Sequence, residues 1–174
     1  VRMIIERQPF PIADDLVTKI AAMNESLYAA ARMNASFDER RAIARDIYQS
    51  ALAGFDEVER KLLNLNDEVQ VDGIVTDWFR YFLGYDPRVD LEASKVPLLA
   101  MYGALDLQVP PDQSVPVLEK INTNHGKIEV RTFPDLNHLF QHATTGLPSE
   151  YGVIDETLAP EVMLAIKEWV LANC

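Results

Sequence analysis

Apolar positions along the chain follow two different spacings, and the change comes near residue 87. In the first half the spacing is helical. Leu16, Ile20, Met23, Leu27 and Ala31 lie three or four residues apart, as one stripe down one helix face. Asp14 and Asp15 stand at its start, where carboxylates complement the positive end of the helix dipole. Ser36 with Glu39 three residues on is a capping-box pattern. It predicts a second helix that carries Ile43 and Ile47 on one side and stops near Gly54. A short third helix is expected over residues 56–63. A fourth is expected over residues 75–83, presenting Trp78 and Phe82 at i, i+4 and ending at Gly84. Pro87 then blocks continuation. This half reads as four helices with no strand.

The second half alternates strand and helix. Residues 96–102 (VPLLAMY) form a short continuous apolar run bounded by Pro97 and Gly103, the pattern of a strand covered on both faces in a parallel sheet. A helix follows between Pro111 and Asn122, with Pro116 expected to fix its effective start. Residues 127–133 (KIEVRTF) alternate and are rich in β-formers, which predicts a second strand. A loop runs over residues 134–159. Pro160 then opens a final helix with Val162, Ile166, Trp169 and Val170 on its buried face. The order strand, helix, strand, helix is a βαβα unit with parallel strands, so the fold class is α/β. Two strands alone bury neither face fully and leave two unprotected edges. The expectation is therefore that the rest of the sheet lies outside this chain.

Composition narrows the partners. The 174 residues carry 16 Lys plus Arg against 27 Asp plus Glu, a net charge of −11. That disfavours non-specific binding to nucleic acid or anionic membrane, which needs a basic surface. No apolar run has the roughly 18 residues of a membrane span. The single cysteine, Cys174, excludes an intrachain disulfide framework and any cysteine-based zinc site. The chain opens on Val1, and it is read as a fragment of a longer protein. Compartment is left open by the sequence.

The residues that could carry chemistry are Asp106 and His138. Asp106 lies in GALDLQV, just after the first strand, and His138 in FPDLNHLF, just after the second. Loops at the carboxyl ends of neighbouring parallel strands converge on one crevice. A carboxylate there fixes the tautomer of an imidazole and stabilises the imidazolium formed when the ring takes a proton from a nucleophile. Rival readings are weaker. His138 with His142 is a His-x-x-x-His spacing, but without a glutamate after the first histidine or a third ligand it makes a poor metal site. His125 reads as an exposed loop residue in NTNHGK, and Asp135 as part of the turn that opens the His138 loop. Trp78, Phe79, Tyr81 and Phe82 could line an acyl pocket, although ordinary helix packing is the plainer reading for Trp78 and Phe82.

The segments VPLLAMYGALDLQVPP, IEVRTFPDLNHLFQHATTG and EYGVIDETLAPEVMLAIKEWV resemble the α/β-hydrolase superfamily, in particular its serine aminopeptidase-like and dienelactone-hydrolase-like esterases. The resemblance is good over residues 78–170 and weak before that. It implies that residues 88–174 are the C-terminal portion of the hydrolase core and residues 1–87 a helical lid or cap. It also implies a Ser, Asp, His triad in that chain order, with Asp106 as acid and His138 as base. The stretch TGLPSEY is part of the likeness, expected to pack the final helix and shape the rim near His138.

One part of the pattern is missing. The superfamily nucleophile sits in a G-x-S-x-G elbow. Ser26, Ser36, Ser50, Ser94, Ser114 and Ser149 all lack glycine two residues away on either side. The reading is therefore a fragment of a serine hydrolase acting on ester or amide bonds, inactive alone and completed by the N-terminal half of the core. Its substrate is a small acyl ester or peptide, and no metal or organic cofactor is called for. The competing expectation is a non-catalytic helical module that forms a homodimer through residues 1–83, or a degenerate hydrolase relative. Asp106 and His138 within hydrogen-bond reach would favour the hydrolase, and separated side chains the module.

Overall fold

The computed structural model describes residues 13–65 and 69–173, so Val1 and Cys174 lie outside the described residues. The chain divides into two compact units, one ending at Asp86 and the other starting at Pro87.

The first unit is helical: α1 (Asp14–Arg32), α2 (Phe37–Leu52), α3 (Glu57–Leu62), α4 (Val69–Ile74) and α5 (Asp77–Gly84). The α1 stripe is as expected, with Leu16, Ile20, Met23, Leu27 and Ala31 all buried. Each large aliphatic side chain so buried contributes about 1.5–3 kcal/mol. Ser36 and Glu39 form the predicted capping box at α2, and Asp56 with Glu59 forms a second one at α3.

Two expectations change here. The inner face of α2 is Arg40, Ala44, Tyr48 and Leu52, while Ile43 and Ile47 are only half-buried. The stripe is rotated by one residue because Arg40 has polar partners inside. Its guanidinium donates to the carbonyls of Val75 and Ala35 and to the Asp77 carboxylate. The fourth helix expected over residues 75–83 stands as α5, and a further helix precedes it. α4 occupies Val69–Ile74, and Thr76 then caps α5 through a side-chain bond from the Phe79 amide. That cap is the signal the apolar spacing hides.

The second unit opens with a further helix the sequence did not announce, α6 (Pro87–Ala93). Pro87 begins a helix rather than only blocking one, since its missing N–H costs nothing in a first turn. Strand β1 (Leu98–Gly103), helix α7 (Pro111–His125), strand β2 (Ile128–Phe133), a 3-10 turn (Pro148–Glu150) and α8 (Pro160–Asn173) complete it. Pro116 lies inside α7 rather than at its start, which is set by Pro110 and Pro111. The strands pair in parallel, Leu98 opposite Ile128 through Gly103 opposite Phe133.

The period of two sorts the sheet residues. Leu98, Ala100, Tyr102, Ile128 and Val130 pack with Leu118 and Ile121 of α7. Met101 and Phe133 face the other way, towards Leu136, Phe140, Ala159 and Val162. Cover is thinner than the sequence led one to expect, because Leu98 to Tyr102 are all only half-buried. Among the described residues the sheet has just two strands, so each keeps an unpaired edge. α8 shows the same shortfall. Val162 and Ala165 are buried, but Ile166 and Val170 are exposed, together with Met163, Leu164 and Leu171. The second unit is thus a βαβα arrangement around a two-stranded parallel sheet, in keeping with the α/β class expected.

Candidate active site

The turn after β1 is built to hold a carboxylate. The chain leaves the strand at Gly103, where a Cβ would lie 2.3 Å from the carbonyl oxygen of Leu136, so only glycine allows the loop of the second strand to cross this closely. The amides of Ala104 and Leu105 then donate to the carbonyls of Phe133 and Leu136. These bonds tie the two loops together before any side chain contributes. Asp106 follows, 6% exposed. Its Oδ1 accepts the backbone amides of Gln108 and Val109, each at 2.8 Å. Its Oδ2 accepts from His138 Nδ1 at 2.9 Å. Each Asp106 oxygen is thus engaged, and the buried charge is compensated.

The loop that presents His138 is organised by Asn137, which is fully buried. Its side-chain oxygen accepts the amides of Leu139 and Gln141, and its Nδ2 donates to Gln141 Oε1. Main-chain bonds from Asn137 to Gln141 and from Phe140 to Asn137 close the turn, and Phe140 takes a left-handed φ of 55°. His138 is carried on this rigid loop with its ring part-exposed. With Nδ1 bound to Asp106, Nε2 is the nitrogen left to accept a proton, and among the described residues it has no hydrogen-bond partner. Sequence reading missed Asn137 and Gln141. A polar residue beside the histidine in an otherwise apolar segment was the signal.

A second loop buttresses the acid turn. Gly146, at φ 76°, lies so close to Leu105 that a Cβ would stand 1.9 Å from its carbonyl oxygen. Glu150 holds this loop by accepting the amides of Thr145 and Gly146. Burial pushes its carboxyl up, but these amide bonds outweigh that and hold it below the ordinary range. Tyr151 accepts from Gln108 Nε2 at 2.8 Å, and burial raises its phenol. The TGLPSEY stretch is expected to pack the final helix and to shape the rim near His138. These ties run to the acid turn, because glycine at 146 lets the two backbones meet there.

The remaining candidates separate. His142 binds Glu156 through Nδ1 and Glu161 through Nε2, so its ring nitrogens and those of His138 serve different carboxylates. Among the described residues no group of three or more histidine, cysteine, aspartate or glutamate side chains is placed to hold a metal ion. Asp135 is exposed and its carbonyl accepts the Ala143 amide, a turn role. His125 is the last residue of α7, not part of a loop. None of the six serines is hydrogen-bonded to His138 among the described residues. No helix among them is long and apolar enough to cross a membrane.

The model of the prolyl oligopeptidase family matches residues 53–154, more than half of the chain. The chain belongs to the prolyl oligopeptidase family. That places it among the serine hydrolases of α/β-hydrolase type, and the matched span of this prolyl oligopeptidase family member contains both Asp106 and His138. The α/β-hydrolase superfamily is as expected, and the matching model is that of a peptidase family. No curated protein and no solved structure matches the chain.

Proposed function

We propose that Asp106 and His138 are the acid and base of a serine hydrolase, and that a nucleophilic serine outside these 174 residues completes the site. The observation that carries this is the 2.9 Å bond between the two side chains at the carboxyl ends of adjacent parallel strands. His138 Nε2 takes the proton of the serine hydroxyl as its oxygen attacks the acyl carbon, and Asp106 stabilises the resulting imidazolium. The proton then passes to the leaving amine or alcohol. Water, deprotonated by the same nitrogen, hydrolyses the acyl-enzyme. Backbone amides near the nucleophile would hold the oxyanion.

The family match favours the amide bond of a peptide, with esters as the less demanding alternative. In this reading the unpaired strand edges and the exposed apolar side of α8 are completed by the remainder of the sheet. The helical unit serves as the cap, where Trp78, Tyr81 and Phe82, all exposed, offer apolar area to an acyl or side-chain group. Packing was the plainer reading for Trp78 and Phe82. They stack on each other at 5.5 Å with most of their surface in water, which supports the cap instead. The Asp106–His138 contact likewise supports the hydrolase over a non-catalytic dimerisation module.

The test is a fluorophosphonate probe applied to this chain and to the protein expressed with the coding sequence upstream of Val1. Expected is a single labelled serine in the longer protein, no labelling of the 174 residues alone, and loss of labelling in His138→Ala. Labelling that persists in His138→Ala would overturn the assignment.

A further inference from the structure

The loop that carries His138 is fastened at its far end by a second histidine that the chemistry above does not use. His142 pairs with Leu136 in an isolated antiparallel bridge, which closes the loop around His138. Its backbone amide donates to Glu156 Oε2 at 2.7 Å. Its Nδ1 lies 3.0 and 3.1 Å from the two Glu156 oxygens. Its Nε2 lies 3.0 Å from Glu161 Oε1, in the first turn of α8. A neutral imidazole has one N–H and one bare lone pair. With a carboxylate oxygen at hydrogen-bond distance from each nitrogen, a neutral ring would set one lone pair against another. Only the imidazolium satisfies both contacts.

We propose that His142 is a positioning residue, a protonated clasp that fastens the His138 loop to Glu156 and to the first turn of α8, so that the loop is held most firmly in register while His142 keeps its second proton. This rests on the proposed role of His138. Among the described residues the charged groups facing the ring are Glu156 and Glu161. The positive end of the α8 dipole opposes a cation there, and the two carboxylates outweigh it. The hydrogen bond to Glu156 is the largest influence and raises the imidazole above its ordinary value. Partial burial works against this, and the charges of Glu156 and Glu161 add to it. Half-exposed ion pairs are individually weak. Here one cation answers two carboxylates, and an amide bond to Glu156 fixes the geometry. The other ties at this seat, Gln141 to the carbonyl of Glu156 and Ala159 to that of Phe140, do not titrate. The clasp therefore tunes the loop rather than releasing it.

The two histidines then need opposite states. His138 must be neutral to accept a proton and His142 charged to hold the loop. Activity therefore falls as pH passes the raised value of His142.

Two measurements test this. In the purified chain, imidazole proton NMR follows His142 while amide exchange is read at Leu139, Phe140 and Gln141. The expected result is titration above the ordinary value of about 6.5, a downward move in Glu161→Gln, and faster exchange once the ring is neutral. Titration at or below that value, or exchange indifferent to it, overturns the clasp. Because no turnover is involved, failure here is distinct from failure of the hydrolase reading, which the fluorophosphonate probe decides. In the longer protein, the alkaline fall in labelling rate should move to lower pH in Glu161→Gln and vanish in His142→Arg, which keeps the charge at all pH. His142→Gln should label about tenfold more slowly near neutrality, within the range that an ångström of misplacement costs. An alkaline limb unchanged in all three variants would also overturn it.

Discussion

Asp106 and Asn137 show how two buried polar residues divide the work of one site. Asp106 has two backbone amides on one oxygen and His138 on the other, so its geometry is fixed from both sides. Replacing it by asparagine keeps the shape but can hold His138 in the wrong tautomer. In the longer protein, Asp106→Asn should lower the His138-dependent labelling rate by a factor on the order of 10⁴, as loss of the triad acid does elsewhere. Labelling within a few-fold of wild type would show that another acid serves the histidine. Asn137 acts on the loop instead. Asn137→Ala leaves the buried Gln141 amide and its side chain without their partner, at about 1–3 kcal/mol per unsatisfied group. Urea unfolding of the purified chain should show a lowered midpoint, with amides from Leu139 to Gln141 exchanging faster than those of β1.

Among the elements, α2 and the turn before α5 depend on one side chain. Arg40 is 1% exposed and spans from α2 to the carbonyl of Val75 and the carboxylate of Asp77. Because Asp77 is mostly in water, losing the guanidinium does not strand a buried charge there. What it strands is the carbonyl oxygens of Val75 and Ala35. Arg40→Ala should destabilise the helical unit by about 1–3 kcal/mol for each carbonyl that water cannot reach. A thermal melt followed by circular dichroism would register this, and a variant as stable as wild type would mean that water replaces the guanidinium. The same element explains why the sequence misled. Isoleucines at 43 and 47 outrank an arginine in any hydrophobicity pattern, so the pattern put the inner face one residue away from where three polar partners placed it.

Across the whole molecule, several carboxylates are held in the charged form by hydrogen bonds to caps, loop amides or an arginine. Glu150 is held below the ordinary carboxyl range by loop amides, and Glu156 by the amide and ring of His142. A carboxylate with a lowered folded-state value contributes stability above its unfolded value and loses it as pH falls through the folded one. The melting temperature of wild type should therefore exceed that of Glu150→Gln near neutrality, with the gap closing as pH drops below about 4. A gap that persists in acid would assign the effect to packing. His142 runs the other way. Its raised value gives a contribution that is complete below the ordinary imidazole range and disappears as pH rises past the folded one. The −11 net charge adds self-repulsion on that alkaline side.

Local pattern was enough to specify much of this protein. The α1 stripe, the Ser36 capping box, both strands and their parallel sense, and the candidacy of Asp106 and His138 could all be read from spacing and from residues at strand ends, because periodicity and caps are set by neighbours in sequence. What tertiary structure decided depends on groups far apart in the chain. Arg40 rotated the face of α2, and Gly103 and Gly146 let three loops meet around Asp106. Glu156 and Glu161 gave His142 its partners. Contacts between loops distant in sequence are a property of the assembled backbone, so no window of adjacent residues could announce them.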